Sequence, residues 1–391
     1  MLTSNIRLIN FKKIKKKIFK NKLKKFKKIN FVAEYPLLET LTKNYKYSYS
    51  KSDINKFKKN STIRLIGMGG SILGAETIYQ FLNHKIKKKF IFLNNLKPNL
   101  LEKDKSKKKV NLIISKSGNT IETILNSSYL INQNKKNKNI FITEKKNNYL
   151  FNLADKLKSE IIEHKNYIGG RYSVLSEVGM LPAELMGLKA RKFKRFNHLI
   201  NNNNFISQLI CNVESTLKFT KQKKFNSIIL NYDERSENLF KWYQQLIAES
   251  LGKKSKGILP IISMMPRDNH SLLQLYLDGP KINFFTFFSV IEKDSNKIKD
   301  SIMQNSYPYL KNKSFNDILC AQRQATQKIF KKKKIPFRSF EIIKRNEESL
   351  GELFCFFILE TILLGRALKV NLFDQPSVEL IKKETKRILI S

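Results

Sequence analysis

The sequence predicts an α/β protein: two consecutive doubly wound parallel sheets, each an α-β-α sandwich, preceded by a helical N-terminal segment. Three observations predict this. Short apolar runs alternate with helical patterns along most of the chain. The alternation happens twice, on either side of an asparagine-rich connection, Asn201–Asn204. The 391 residues, 41% of them hydrophobic, suffice for two compact units at roughly 150 residues each.

Residues 1–45 are read as the lysine-rich helical segment. Ile14, Ile18, Leu23 and Phe26 are spaced for one apolar stripe on a surface helix. Residues 46–195 form the first unit. Its strands are Ile63–Ile66, Phe90–Leu93, Val110–Ile114 and Ile140–Ile142, with a helical pattern after Ser71 and another after Thr120. Residues 196–391 form the second, with strands at Ser227–Leu230, Leu259–Ser263 and Asn283–Ile291 and a helix over Asn238–Ser250. A long apolar helix, Glu347–Leu368, follows. Pro376 then suits the first position of a last helix.

Composition narrows the classes. No run of roughly 18 apolar residues exists, so no membrane span is expected. The N-terminus lacks the apolar core of a secretory signal. Cys211, Cys320 and Cys355 are few, odd in number and in apolar surroundings, which fits a reducing cytoplasm. No Cys or His pair has zinc-ligand spacing, so no metal is expected. The formal charge of +43 would suggest an acidic partner. However, only 12 of the 75 basic residues are Arg, the residue whose planar fork reads guanine and phosphate. Abundant Lys, Asn, Ile and Phe share A/T-rich codons. A lysine-coated surface without specific nucleic-acid binding is the simpler reading.

Two turns carry the clearest chemistry. Gly67-Met68-Gly69-Gly70-Ser71 and Ser115-Lys116-Ser117-Gly118-Asn119-Thr120 each lie between a strand and a helix. Glycines let the backbone approach an anion, and the free amides of the helix N-terminus point at it. Gly70, Ser71, Ser115, Lys116, Ser117 and Thr120 are the candidate donors for a phosphate monoester. The first turn lacks the G-x-G-x-x-G spacing of dinucleotide sites, and Lys-Ser/Thr does not follow it as in a Walker A loop.

These turns resemble the two phosphate loops of glucose-6-phosphate isomerases. Four further blocks follow in that family's order. Gly169-Gly170-Arg171-Tyr172-Ser173 resembles its arginine motif, and Gln245–Lys253 its general-base helix. Asp268-Asn269-His270-Ser271, with Gln274–Pro280, resembles its histidine segment. Phe373-Asp374-Gln375-Pro376-Ser377-Val378-Glu379, with Lys382, resembles its C-terminal lysine motif. Met68 stands where isoleucine is usual, and Ser377 where glycine is typical.

The resemblance implies sugar-isomerase-type domains and a cofactor-free aldose–ketose isomerase acting on a sugar phosphate in glycolysis and gluconeogenesis. It implies Glu249 as the base moving a proton between C2 and C1, with Gln245 on the same helical face as a substrate contact. Gly170 allows close approach to substrate, and Arg171 would stabilise enediolate charge. His270 and Lys382 are implied in ring opening, the histidine supplied by a neighbouring subunit of a homodimer. Glu122 is placed behind His270 as an orienting residue. The alternative is a noncatalytic sugar-phosphate-binding regulator of the same domain type. Such a protein needs none of Glu249, Arg171 or Lys382 and usually carries a DNA-binding helix-turn-helix, which is not found before Thr62.

Overall fold

A computed structural model describes residues 1–11, 16–97, 109–292, 295–297 and 307–390. Two five-stranded sheets organise it. In the first, Thr62–Gly67 (β2), Lys89–Leu93 (β3), Val110–Ile114 (β4), Lys138–Thr143 (β5) and Glu160–Glu163 (β6) are all parallel, in the order β3-β2-β4-β5-β6. The central β2 and β4 are buried along their whole length, as helices on both faces require.

The second sheet contains Asn226–Asn231 (β7), Leu259–Met264 (β8), Asn283–Val290 (β9) and Phe337–Ile342 (β10) in parallel, in the order β10-β9-β7-β8. An edge strand, Ile6–Ile9 (β1), adds to β10 antiparallel. The opening residues therefore depart from the helical reading. Ile6 and Leu8 face the core while Arg7 and Ile9 face out, a period of two. Four residues are too short for that period to stand out in a lysine-rich stretch; the open edge of β10 selects it. The helix itself runs Lys16–Lys27 and lays Phe26 into the core with Leu23 beside it. Ile14 lies outside the described residues, as does the side chain of Ile18.

Two further strands escaped the sequence reading. β6 is only four residues, Glu-Ile-Ile-Glu, and β10 carries a charge at Arg338. That charge is tolerated because Arg338 Nη1 lies 2.7 Å from Glu360 Oε1 and donates to Asn212 Oδ1 at 2.7 Å, while its Nε donates to Thr286 Oγ1 at 2.9 Å. Both charged side chains are 1% exposed. Removing one partner of such a pair leaves the other charge buried and uncompensated. Glu360→Leu is accordingly expected to lower unfolding free energy by about 3–5 kcal/mol, read as a lower denaturation midpoint in urea.

Glu360 belongs to the Glu347–Leu368 helix, which is buried almost throughout. One apolar core joins this helix to Leu65 and Leu112 of the first sheet and to Phe288 and Phe340 of the second. The Leu73–Phe81 helix packs on the Glu237–Leu251 helix, and Thr77 Oγ1 donates across that contact to the Asn238 carbonyl at 2.9 Å. No helix among the described residues is long and apolar enough to cross a membrane.

The topology places the site. In the first sheet, β2 connects to β3 on one side, and the chain then crosses to β4 on the other. Order reverses between β2 and β4, and a crevice opens outside their carboxyl ends. The two serine-bearing turns flank that crevice.

Candidate active site

The first turn leaves β2 and closes as a short 3₁₀ turn, Gly69–Ser71, before the Leu73–Phe81 helix. Gly70 is pressed onto the Gly170–Arg171 backbone: a Cβ at Gly70 would lie 2.2 Å from the Gly170 carbonyl. Beside it, a Cβ on Gly69 would lie 2.7 Å from Gln245 Nε2. Ser173 Oγ donates to the Gly170 carbonyl at 2.7 Å and to the Gly70 carbonyl at 3.3 Å. These approaches bring three motifs, distant in sequence, within one van der Waals shell.

The second turn leaves β4. Ser115 and Thr120 hydroxyls lie 3.0 Å apart across it. Gly118 has φ +66°, and a Cβ there would sit 1.7 Å from Asn148 Oδ1, so only glycine fits. The Ile121–Gln133 helix then starts with no side-chain cap, which leaves its first amides available to an anion. Lys116 Nζ donates to the Asn166 carbonyl at 2.6 Å and lies 3.7 Å from Glu144; burial pulls its ammonium below the ordinary lysine value. Ser117 is exposed, and its Oγ accepts from the Asn119 amide at 3.3 Å.

Next to the first turn stands a carboxylate–guanidinium cluster. Arg171 rides the 3₁₀ turn Gly170–Leu175, and Glu249 the Glu237–Leu251 helix. Arg171 Nη1 lies 2.6 Å from Glu249 Oε2, and Gln245 Nε2 donates to Glu249 Oε1 at 2.9 Å. The arginine is 5% exposed and the glutamate 27%, so the carboxylate faces the opening with the guanidinium behind it. Arg171 Nη2 also donates to the carbonyls of Leu372 at 2.8 Å and Asp374 at 3.0 Å. Tyr172 reinforces the join: its hydroxyl lies 2.7 Å from Ser250 Oγ, and burial pushes its pKa up to about 12. Two polar atoms in this cluster, Arg171 Nε and Gln245 Oε1, are buried without a partner. A fixed carboxylate, a fixed positive charge and two unanswered polar atoms beside an anion-binding turn form an arrangement suited to moving a proton next to a carbonyl.

The sequence model of the phosphoglucose isomerase family matches residues 53–391. The chain belongs to the phosphoglucose isomerase family. It is similar to the glucose-6-phosphate isomerase of Mycoplasmopsis pulmonis, at 34% identity over 366 residues, covering 86% of this chain and 84% of that one. The glucose-6-phosphate isomerase of Methanocaldococcus jannaschii is 30% identical over 355 residues, covering 86% and 87%. Among solved structures, a hypothetical protein from Thermus thermophilus superposes with a TM-score of 0.82 at 21% identity, over 96% of this chain and 95% of that one. A glucose-6-phosphate isomerase from Chlamydia trachomatis gives 0.72 at 19% identity, over 90% and 78%. At those identities the structures speak for the shared fold.

In this phosphoglucose isomerase family chain, three of the residues singled out from sequence stand apart from the cluster. His270 ends the 3₁₀ turn Arg267–His270 beyond β8, the edge strand of the second sheet, and is exposed. Lys382 lies on the Pro376–Ile390 helix, no residue of which is buried; its amine is 2.7 Å from Glu379 Oε1. Its ammonium is paired with Glu379 on its own helix, while Gln375, the residue before that helix, accepts from Arg171 Nη1 at 3.3 Å. Glu122 occupies the first turn of the helix behind the second loop, half-buried.

Other residues come into view only in three dimensions. Lys253 Nζ lies 3.0 Å from Asp374 Oδ1 and also donates to the Asn371 carbonyl, so it pins the chain just before the last helix. Asn148 fills the space beneath Gly118 and caps the following helix through the Phe151 amide. Lys253 closes the Gln245–Lys253 motif read from the sequence, where it is given no role of its own; Asn148 has no sequence cue.

Proposed function

We propose that the chain interconverts glucose 6-phosphate and fructose 6-phosphate through a cis-enediolate. The observation that carries the reading is the Arg171–Glu249–Gln245 cluster, held against the Gly69–Ser71 turn at the sheet's switch point. The phosphate sits on the two turns, gripped by Ser71, Ser115, Ser117 and Thr120 hydroxyls, with the Lys116 charge nearby and the Gly70 backbone allowing close approach. Glu249 removes the proton from C2 of the open aldose and returns it to C1, while the hydroxyl proton of O2 passes to O1, so that the C1 carbonyl becomes a hydroxyl and C2 becomes the carbonyl. Arg171 opposes the negative charge that develops on the enediolate oxygens, a role typically worth several kcal/mol. Gln245 and Gly170 line the sugar.

Ring opening needs a proton given to the ring oxygen and one taken from the C1 hydroxyl. His270 and Lys382 are the groups for it, His270 from the second subunit of a homodimer and Glu122 orienting it. The exposed position of His270 supports a contribution made across subunits. The setting is cytoplasmic sugar-phosphate metabolism, serving glycolysis and gluconeogenesis. The test is direct: fructose 6-phosphate is added to purified protein, and glucose 6-phosphate is followed by a coupled dehydrogenase. Turnover is expected. A folded protein that binds the sugar phosphate without turning it over would favour the noncatalytic regulator instead.

A further inference from the structure

None of the residues assigned above lines a cavity of about 770 Å³, although Tyr149 in its wall donates its amide to Asn119 Oδ1 of the second turn. The cavity opens between the Ile121–Gln133 and Tyr149–Lys156 helices and reaches the starts of β5 and β6, at Lys138 and Glu160. The second phosphate turn sits at the opposite, carboxyl end of these parallel strands. Ile121 begins the first of those helices at that turn, and Ile131, ten residues on, lines the cavity. At 1.5 Å per residue the end of the cavity at Ile131 is about 15 Å from the turn along the helix.

The cavity's chemistry is one-sided. Five lysines line it, Lys56, Lys135, Lys138, Lys156 and Lys158, against a single carboxylate, Glu160. Lys56 Nζ is 3.0 Å from both Glu160 oxygens, so that one negative charge is already answered. Four positive charges remain without a counterpart in the lining. A second, independent feature points the same way. Asn137 is 5% exposed and lines the cavity. Its Oδ1 accepts the Lys109 amide at 2.9 Å, which fixes the orientation of the amide group. Its Nδ2 is then a buried donor with no partner. A buried unpaired donor costs free energy unless an acceptor reaches it.

We propose that this cavity binds a small molecule carrying a triphosphate chain. A single phosphate, at about two negative charges, would leave the lysines uncompensated; a triphosphate carries about four, and its oxygens answer the Asn137 donor once that side chain turns toward the cavity. The volume falls in the range of small-molecule pockets. Free tripolyphosphate and a nucleoside triphosphate share the recognised chemistry. The half-exposed Tyr149 ring, beside Leu153 and Leu157, offers the nucleoside a surface that the free chain cannot use.

The experiment is calorimetric titration of the full chain with tripolyphosphate and, separately, with ATP, at about 150 mM salt to screen diffuse attraction. Two variants are compared. One carries Lys135→Gln, Lys138→Gln and Lys156→Gln in the cavity. The other carries Lys311→Gln, Lys313→Gln and Lys331→Gln, exposed residues outside it that remove the same charge. Saturable one-to-one binding is expected, weakened by about tenfold or more in the cavity variant and by less than about twofold in the other. Tighter binding of ATP than of tripolyphosphate assigns the apolar wall to a nucleoside; equal binding assigns recognition to the phosphate chain alone. Equal losses in both variants, no saturable binding, or a loss on Ser115→Ala instead of in the cavity variant would overturn the proposal. Circular dichroism of each variant separates a lost site from a lost fold.

Discussion

Glu249→Gln is expected to lower kcat by about 10³-fold, within the range that a positioned general base supplies. The substitution keeps the side chain's size. Its amide oxygen can still face Arg171 Nη1, now 2.6 Å from the carboxylate. With that oxygen on Arg171, the new NH2 group faces Gln245, whose amide flips so that its Oε1, buried without a partner, accepts the hydrogen bond. Packing and phosphate binding should therefore persist, with KM changed by less than about threefold, because the phosphate turns carry the ground-state affinity. What is lost is the ability to hold the C2 proton. The decisive readout is exchange of the sugar's C2 hydrogen with D₂O, which should fall in step with kcat. Near-normal turnover in this variant would remove Glu249 from the role of base.

Arg171→Lys should lower kcat by about 10²-fold or more, comparable to removing a fixed donor at a developing oxyanion. Charge is conserved, so a purely Coulombic role would survive the change. The guanidinium does more. From one planar fork it reaches Glu249 through Nη1 and two carbonyls, of Leu372 and Asp374, through Nη2. A single ammonium cannot satisfy these partners in that geometry. The variant should thus show two effects: weaker transition-state stabilisation, and a looser segment 371–375, read as faster proteolytic clipping ahead of the Pro376–Ile390 helix. A full kcat with lysine in place would mean that Arg171 acts on the C-terminal turn alone.

Both predictions rest on residues that the resemblance of their motifs to the family picks out, and those motifs are local. A base on a helix with a partner four residues away, an arginine after two glycines, and hydroxyl-rich turns between strand and helix are short-range patterns. The alternation of β-strands with helices was legible for the same reason, down to the bounds of the Glu347–Leu368 helix. Strand β1 was not, because four residues become a strand only when β10 offers an edge. Strand β10 was obscured by Arg338, whose charge is at home in the core only opposite Glu360, Asn212 and Thr286. Lys382 shows the opposite case. Its motif is clear in sequence, yet its helix stands exposed, and its amine is paired with Glu379 of the same helix.

Resemblance of their motifs to the family singled out Glu249 and Arg171, while the sequence by itself determined the alternation of strands and helices and the anion-binding character of the two turns. Those properties depend on residue type and spacing over a dozen positions. The tertiary structure alone decided that Gly70 meets Gly170, that Arg171 meets Glu249 across 78 positions and Leu372 across 201, and that five lysines converge on a cavity at the far end of the first sheet. Such meetings are set by how two sheets and one buried helix close-pack, and no local pattern encodes a contact between segments whose proximity only that packing creates.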